Sequence, residues 1–190
     1  MTSPDPVEPA AHHSYAAAVA WSGSTAEGYD AYDRRHAGHF GGTGSTDGTG
    51  STGSTGGGFT VGLSSDAAFR GDPALPNPEQ LVVLAAASCQ LLSFLAVAAR
   101  ARLDVLAYTD DAAARMPVST KPVGLSGITL RPQIVVADRR VDRDVSVTLA
   151  QVERLCEVAH GECYVANSLR TPVEVVPTVV LVPTSSDLPG

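Results

Sequence analysis

The side chains best suited to chemistry in this sequence are its three cysteines, Cys89, Cys156 and Cys163. A thiolate is both a strong nucleophile and a metal ligand, and its surroundings decide which role is open to it. Cys89 lies in the middle of a long apolar run, where the plainest reading of a lone thiol is a small buried hydrophobe. Cys163 sits in Gly161-Glu162-Cys163-Tyr164, just past a helical pattern, where a thiol can be exposed and can move. Cys156 falls on the apolar face of that helical pattern and reads as core. Cys156, His160 and Cys163 are spaced i, i+4 and i+7, so one helical face could offer all three to a metal. Zinc would want a fourth ligand and usually a short Cys-x-x-Cys pair, and neither is evident. His160 fits better as a helix C-terminal residue favoured by the dipole, or as a hydrogen-bond partner near Cys163.

The elements that must position these thiols follow from pattern. Asn77-Pro78-Glu79-Gln80 supplies an N-cap, a proline at the first helical position and a glutamine able to close a capping box. The spacing predicts a helix from Pro78 to about Arg102, carrying Glu79 in its first turn and Cys89 at its centre. Leu149, Val152, Leu155, Cys156 and Ala159 share one helical face, which predicts a second helix over Leu149–His160 ended by Gly161. Strands are expected in Tyr15–Trp21, Tyr32–Phe40, Phe59–Leu63, Val105–Thr109, Ile128–Ala137 and Val173–Val182. Pro132 marks the fifth of these as an edge strand or a bulge. The order predicts an α+β fold, with mostly antiparallel sheets packed on a long buried helix.

Composition narrows the function. The 190 residues suffice for one domain with a sizeable core. The expected organisation is a disordered tail over residues 1–13, one domain over 14–183, and a second tail over 184–190. The Gly/Ser/Thr tract 41–58 reads as an over-long hairpin loop, since it has nothing apolar to bury. Thirteen basic against twenty acidic residues give a net charge of -7, which argues against a nucleic-acid backbone as partner. Arg139, Arg140 and Arg143 are diluted by Asp138, Asp142 and Asp144 and read as a solvated turn. The acidic, proline-rich start has no secretory pattern, and three cysteines fit a disulfide framework poorly, so the expected compartment is the cytoplasm. The uncharged run Leu81–Ala99 is about the minimum length for a membrane span. Its Ser88, Cys89, Gln90 and Ser93, and the strands that need a surface to cover, favour a core helix and no membrane.

Taken together, several of these segments resemble one family. They are Asn77-Pro78-Glu79-Gln80-Leu81, the alanines leading to Ser88-Cys89, Ala159-His160-Gly161-Glu162-Cys163, and Asn167-Ser168. The pattern resembles the osmotically inducible protein C / organic hydroperoxide resistance (OsmC/Ohr) family. Tyr32-Asp33-Arg34-Arg35-His36 and Ser65-Asp66-Ala67-Ala68-Phe69-Arg70-Gly71-Asp72-Pro73 are similar to an OsmC-like branch of it. The resemblance runs from about Trp21 to Pro177. It implies an intertwined homodimer, a peroxidatic Cys89, a resolving Cys163, and an Arg34–Glu79 pair that activates the first thiol, with Arg35 as the neighbouring alternative to Arg34. It implies an organic hydroperoxide as substrate, no bound cofactor or metal, and an external dithiol or low-molecular-weight thiol as reductant. Two features depart from the pattern: Tyr164 follows Cys163 where well-studied members have proline, and the Gly/Ser/Thr tract is extra.

The residue types fit that chemistry. A thiolate attacks the peroxide oxygen, a nearby guanidinium favours the thiolate, and a second thiol traps the sulfenic acid as a disulfide before over-oxidation. Glu79 would hold the guanidinium in a bidentate pair, and its first-turn position also suits the helix dipole. The alternative on the same fold is an oxidant sensor without turnover, or an apolar-ligand-binding protein.

Overall fold

The computed structural model describes residues 13–41, 58–141 and 143–183. Apart from His13, the expected tails lie outside the described residues, as does the Gly/Ser/Thr tract apart from Gly41 and Gly58. The chain forms two compact units, Met1–Pro78 and Glu79–Gly190.

In the first unit, β1 (Ala17–Ala20), β2 (His36–Phe40) and β3 (Phe59–Leu63) form an antiparallel sheet in the order β1-β2-β3. Phe40 and Phe59, directly opposite in register, stack at 4.8 Å. That cross-strand aromatic pair pins the register at the end of the hairpin where the chain passes from β2 to β3. After β3 the chain makes a 3-10 turn, Ala67–Phe69, capped by Asp66, whose carboxylate accepts from the Ala68 amide. Arg70 takes a left-handed conformation, φ 66°, and Gly71 follows against the backbone of Ser65. A Cβ on Gly71 would lie 1.6 Å from the Ser65 carbonyl oxygen. Backbone cannot yield as a side-chain tip can, so Gly71→Ala should destabilise by about 3 kcal/mol or more. Urea denaturation would check this, and a midpoint equal to wild type would show that the turn rearranges freely.

The second unit is built on α1 (Pro78–Arg100). Proline at the first helical position needs no N–H partner, and the alanine- and leucine-rich run that follows favours helix. The helix stops two residues before the expected Arg102, because Arg102 adopts φ 59° and the Leu103 amide turns back to the Ala98 carbonyl. This is a left-handed helix end made without the usual glycine, with Arg140 donating to the freed Ala101 carbonyl.

Two small sheets cover one side of α1. The first has the order β10-β6-β5 (Val173–Val175, Gly127–Leu130, Ala113–Arg115), and the second β11-β7-β4 (Thr178–Val182, Pro132–Ala137, Val105–Asp110). A hairpin of β8 (Arg139–Arg140) and β9 (Arg143–Ser146) forms where the sequence suggested a solvated turn. The single strands expected over Ile128–Ala137 and Val173–Val182 are each two strands, and the halves join different sheets. The breaks fall at Arg131, just before Pro132, and at Val176-Pro177; a proline has no N–H to continue a ladder. At the first break the Arg131 amide donates to Asp110 Oδ1 (2.7 Å). β10 with β6 and β11 with β7 pair in parallel; the other five pairings are antiparallel, as expected of the class.

Phe94, Val97, Ala98, Ile134, Val136 and Val152 centre one core cluster; Ala86, Ile128 and Leu130 centre another. Both draw on one stripe of α1, residues 86, 90, 94, 97 and 98. The helix is therefore not buried all round within one chain. Leu84 (64% exposed), Leu92 (63%) and Leu95 stand on the opposite stripe. By length and composition α1 could also cross a membrane, but its inner stripe packs on sheets.

α2 (Leu149–Gly161) starts at a capping box of Thr148 and Gln151 and extends one residue beyond the expected His160. Cys163 is the N-cap of a short further helix, α3 (Tyr164–Ser168), which pattern alone did not reveal.

Candidate active site

α1, α2 and α3 bring Cys89 and Cys163 together. Cys89 is half-buried at mid-helix, and Cys163 is wholly buried at the α2–α3 junction, both as free thiols. Cys89 Sγ lies 3.5 Å from the amide of Val165, two residues past Cys163, and the two thiols are close enough to influence each other. The junction is fixed from both sides. The Cys163 amide donates to the His160 carbonyl, the Asn167 amide to the Cys163 carbonyl, and Asn167 Nδ2 to the Gly161 carbonyl. Arg100 at the end of α1 pairs with Glu162 next door. The Val165 amide, in the first turn of α3, points at Cys89 Sγ (3.5 Å). An N–H at a helix start is a ready partner for a negatively charged sulfur.

The two thiols are not equivalent. Burial pushes the Cys163 thiol up, the Ala166 amide pulls it back, and neighbouring Cys89 raises it further. Cys163 is thus a neutral thiol at pH 7, shielded from solvent, while Cys89 is open to it. Cys156 is buried in the core of α2, as the sequence pattern suggested, and burial with Glu153 and Glu157 nearby pushes its thiol up to about 12. At pH 8, well below that value, iodoacetamide should leave Cys156 unmodified in the folded protein while Cys89 reacts. Peptide mapping after a short exposure would show it, and rapid labelling of Cys156 would mean that α2 opens.

Among the described residues no three His, Cys, Asp or Glu side chains cluster closely enough to hold a metal, so Cys156, His160 and Cys163 form no such site. Reasoning from sequence missed Gln90. It is almost wholly buried next to Cys89, and its amide donates to the Cys156 carbonyl (3.3 Å), tying α1 to α2. A buried polar residue on the inward stripe was the available signal. Tyr108 also faces this core, its ring tilted against Phe94, and burial pushes its phenol up, so it stays protonated.

Glu79 is half-buried in the first turn of α1. Arg34 belongs to the first unit, where it lines a cavity of about 350 Å³ with Trp21, Thr25, Tyr32, His36 and Pro78. Its guanidinium donates to the carbonyls of Tyr32 (2.8 Å) and Tyr29 (2.5 Å). Arg35 differs: its side chain is exposed and bound to Asp33, with Nη2 2.7 Å from Oδ2. That partner raises Arg35 and lowers Asp33. Of the two adjacent arginines, Arg34 is the one without a carboxylate partner among the described residues.

These features coincide with the results of comparison. The profile of the OsmC-like protein family matches residues 71–177, more than half of the chain, and the chain belongs to that family. An OsmC-like protein of unknown function from Vibrio cholerae is 28% identical, with a TM-score of 0.67, over 89% of this chain and all of that one. An organic hydroperoxide resistance protein from Elizabethkingia anophelis has a TM-score of 0.58 at 18% identity, over 92% of this chain and all of that one. An organic hydroperoxide resistance protein OsmC from Legionella pneumophila has a TM-score of 0.54 at 18% identity, over 89% and 98%. No curated protein matches the chain.

Proposed function

We propose that this protein is a cysteine-based thiol peroxidase that reduces organic hydroperoxides in the cytoplasm. The observation that carries this reading is the meeting of an accessible Cys89 with a buried Cys163. The names of the fold relatives from E. anophelis and L. pneumophila support the substrate class. Cys89 attacks as the thiolate. The O–O bond breaks, the sulfur is oxidised to a sulfenic acid, and the alkoxide leaves and takes up a proton. The Cys163 thiol then attacks the sulfenic sulfur. The S–S bond forms, and the hydroxyl leaves as water with the Cys163 proton. An external dithiol or low-molecular-weight thiol supplies two electrons and restores both cysteines. The family resemblance assigns to Arg34 and Glu79 the task of favouring the Cys89 thiolate.

The working unit is a homodimer. The exposed stripe of Leu84, Leu92 and Leu95 is the surface on which a second copy would pack its own α1. Multiple turnover of cumene hydroperoxide with a dithiol in excess tests the enzymatic reading. Sustained consumption supports it. A single equivalent consumed, followed by arrest even with reductant present, would make the protein a sensor.

A further inference from the structure

Arg100 pairs with Glu162 at the end of α2, but both side chains are exposed, and such a pair contributes little. Gln90 makes an internal tie between α1 and α2. It is 1% exposed, and its Nε2 donates to the Cys156 carbonyl at 3.3 Å. Its Oε1 is buried with no hydrogen-bond partner among the described residues. The other inward residues of the stripe, Ala86, Phe94, Val97 and Ala98, are all apolar. A buried amide with one long bond and one idle oxygen is a poor stabiliser, and an apolar side chain of its size should fill the place at least as well.

What the amide supplies instead is direction. Phe94 and Val97 meet Val152, Cys156 and Ala159 in one apolar cluster. Apolar contact of that kind is non-directional, whereas a bond to one particular carbonyl sets the register of α2 along α1. The register matters at the thiols. Gln90 is next to Cys89, and Cys163 follows Cys156 by seven residues, about two turns. There α3 begins, and the Val165 amide lies 3.5 Å from Cys89 Sγ.

We infer that Gln90 is a positioning residue for disulfide closure, its bond to the Cys156 carbonyl holding α2 in the register that presents Cys163 to the oxidised Cys89. This rests on the reading of Cys89 as the attacking thiol and Cys163 as the resolving one. Gln90 acts after the O–O bond has broken. In closure the S–S bond forms between Cys163 and the sulfenic sulfur, and the hydroxyl leaves as water with the Cys163 proton.

The test uses Gln90→Met and Gln90→Leu in the full-length protein, reduced and given one equivalent of cumene hydroperoxide with dimedone present. Dimedone captures the sulfenic acid in competition with Cys163, so the ratio of adduct to disulfide in the intact mass reports closure. Closure should slow about three- to tenfold, the factor to which one ordinary hydrogen bond corresponds, and the adduct share should rise to match. The rate of the first peroxide consumption should stay at the wild-type value, and in a Cys163→Ser background the substitutions should change nothing. The urea midpoint should equal or exceed that of the wild type. A glutamine with a merely structural role would not separate stability from closure in this way. An unchanged ratio with peroxide consumed normally would overturn the role of Gln90 and leave the cysteine pair standing. Slower closure with a lower urea midpoint, a slower first oxidation, or variants that fail to fold would overturn it as a general loosening of the core. If the wild type itself yields no disulfide, the reading of the pair falls and this role with it.

Discussion

Cys89→Ser will consume no organic hydroperoxide, while Cys163→Ser will consume one equivalent per subunit and then over-oxidise to the sulfinic acid. The difference comes from exposure and order of attack. Cys89 is the thiol that solvent reaches, and nothing replaces it as first nucleophile, because Cys163 and Cys156 are buried with raised thiols. Cys163 is needed only after the sulfenic acid exists, so its loss spares the first turnover and removes the protection. In the wild type, closure to the disulfide should quicken as pH rises from 7 to 9. The Cys163 thiol is pushed up by burial, and each rise in pH increases its thiolate fraction. Peroxide consumption and intact mass would follow both steps. Equal loss of the first equivalent in both variants would refute the assignment of roles.

Mixing Cys89→Ser with Glu79→Ala, under conditions that let subunits exchange, should restore roughly a quarter of the sites if dimers pair at random. Ten residues separate Glu79 from Cys89 on one helix, about 15 Å along its axis, farther than one arginine side chain bridges easily. Two helices packed antiparallel about Leu84, which lies midway between Glu79 and Cys89 and is exposed, would bring Glu79 of one copy toward Cys89 of the other. Each leucine buried there contributes about 1.5–3 kcal/mol. Leu84→Glu/Leu92→Glu would place charges in that seam, and should give a monomer with little activity. Sedimentation and the mixing assay report separately. A fully active monomer would rule out the composite site, and a dimer with no recovery on mixing would place each site within one chain.

Much of this was legible from residue pattern. Asn77-Pro78 announced α1, the apolar face at Leu149, Val152 and Cys156 announced α2, and the class of fold followed from the order of elements. What failed did so for local reasons. Pro132 read as an edge strand or a bulge and Val173–Val182 as one strand, because which sheet each half joins is decided by parallel pairings distant in sequence. The end of α1 depended on Arg102 entering a left-handed conformation usually given to glycine. Cys89 and Cys163 could each be picked out, but only a resemblance suggested that they pair. The contact is set by α3, five residues whose start is a cysteine with no capping side-chain bond. Gln90 read only as a polar residue that disfavours a membrane span; its tie to α2 shows only once its partner there is known.

The most direct test of the central claim is the intact mass of the reduced protein after one equivalent of cumene hydroperoxide, with the product mapped by non-reducing peptide analysis. The account predicts a loss of two hydrogens per chain and a single new linkage, Cys89 to Cys163. Unchanged mass, a stable gain of one oxygen, or a linkage that includes Cys156 would contradict it.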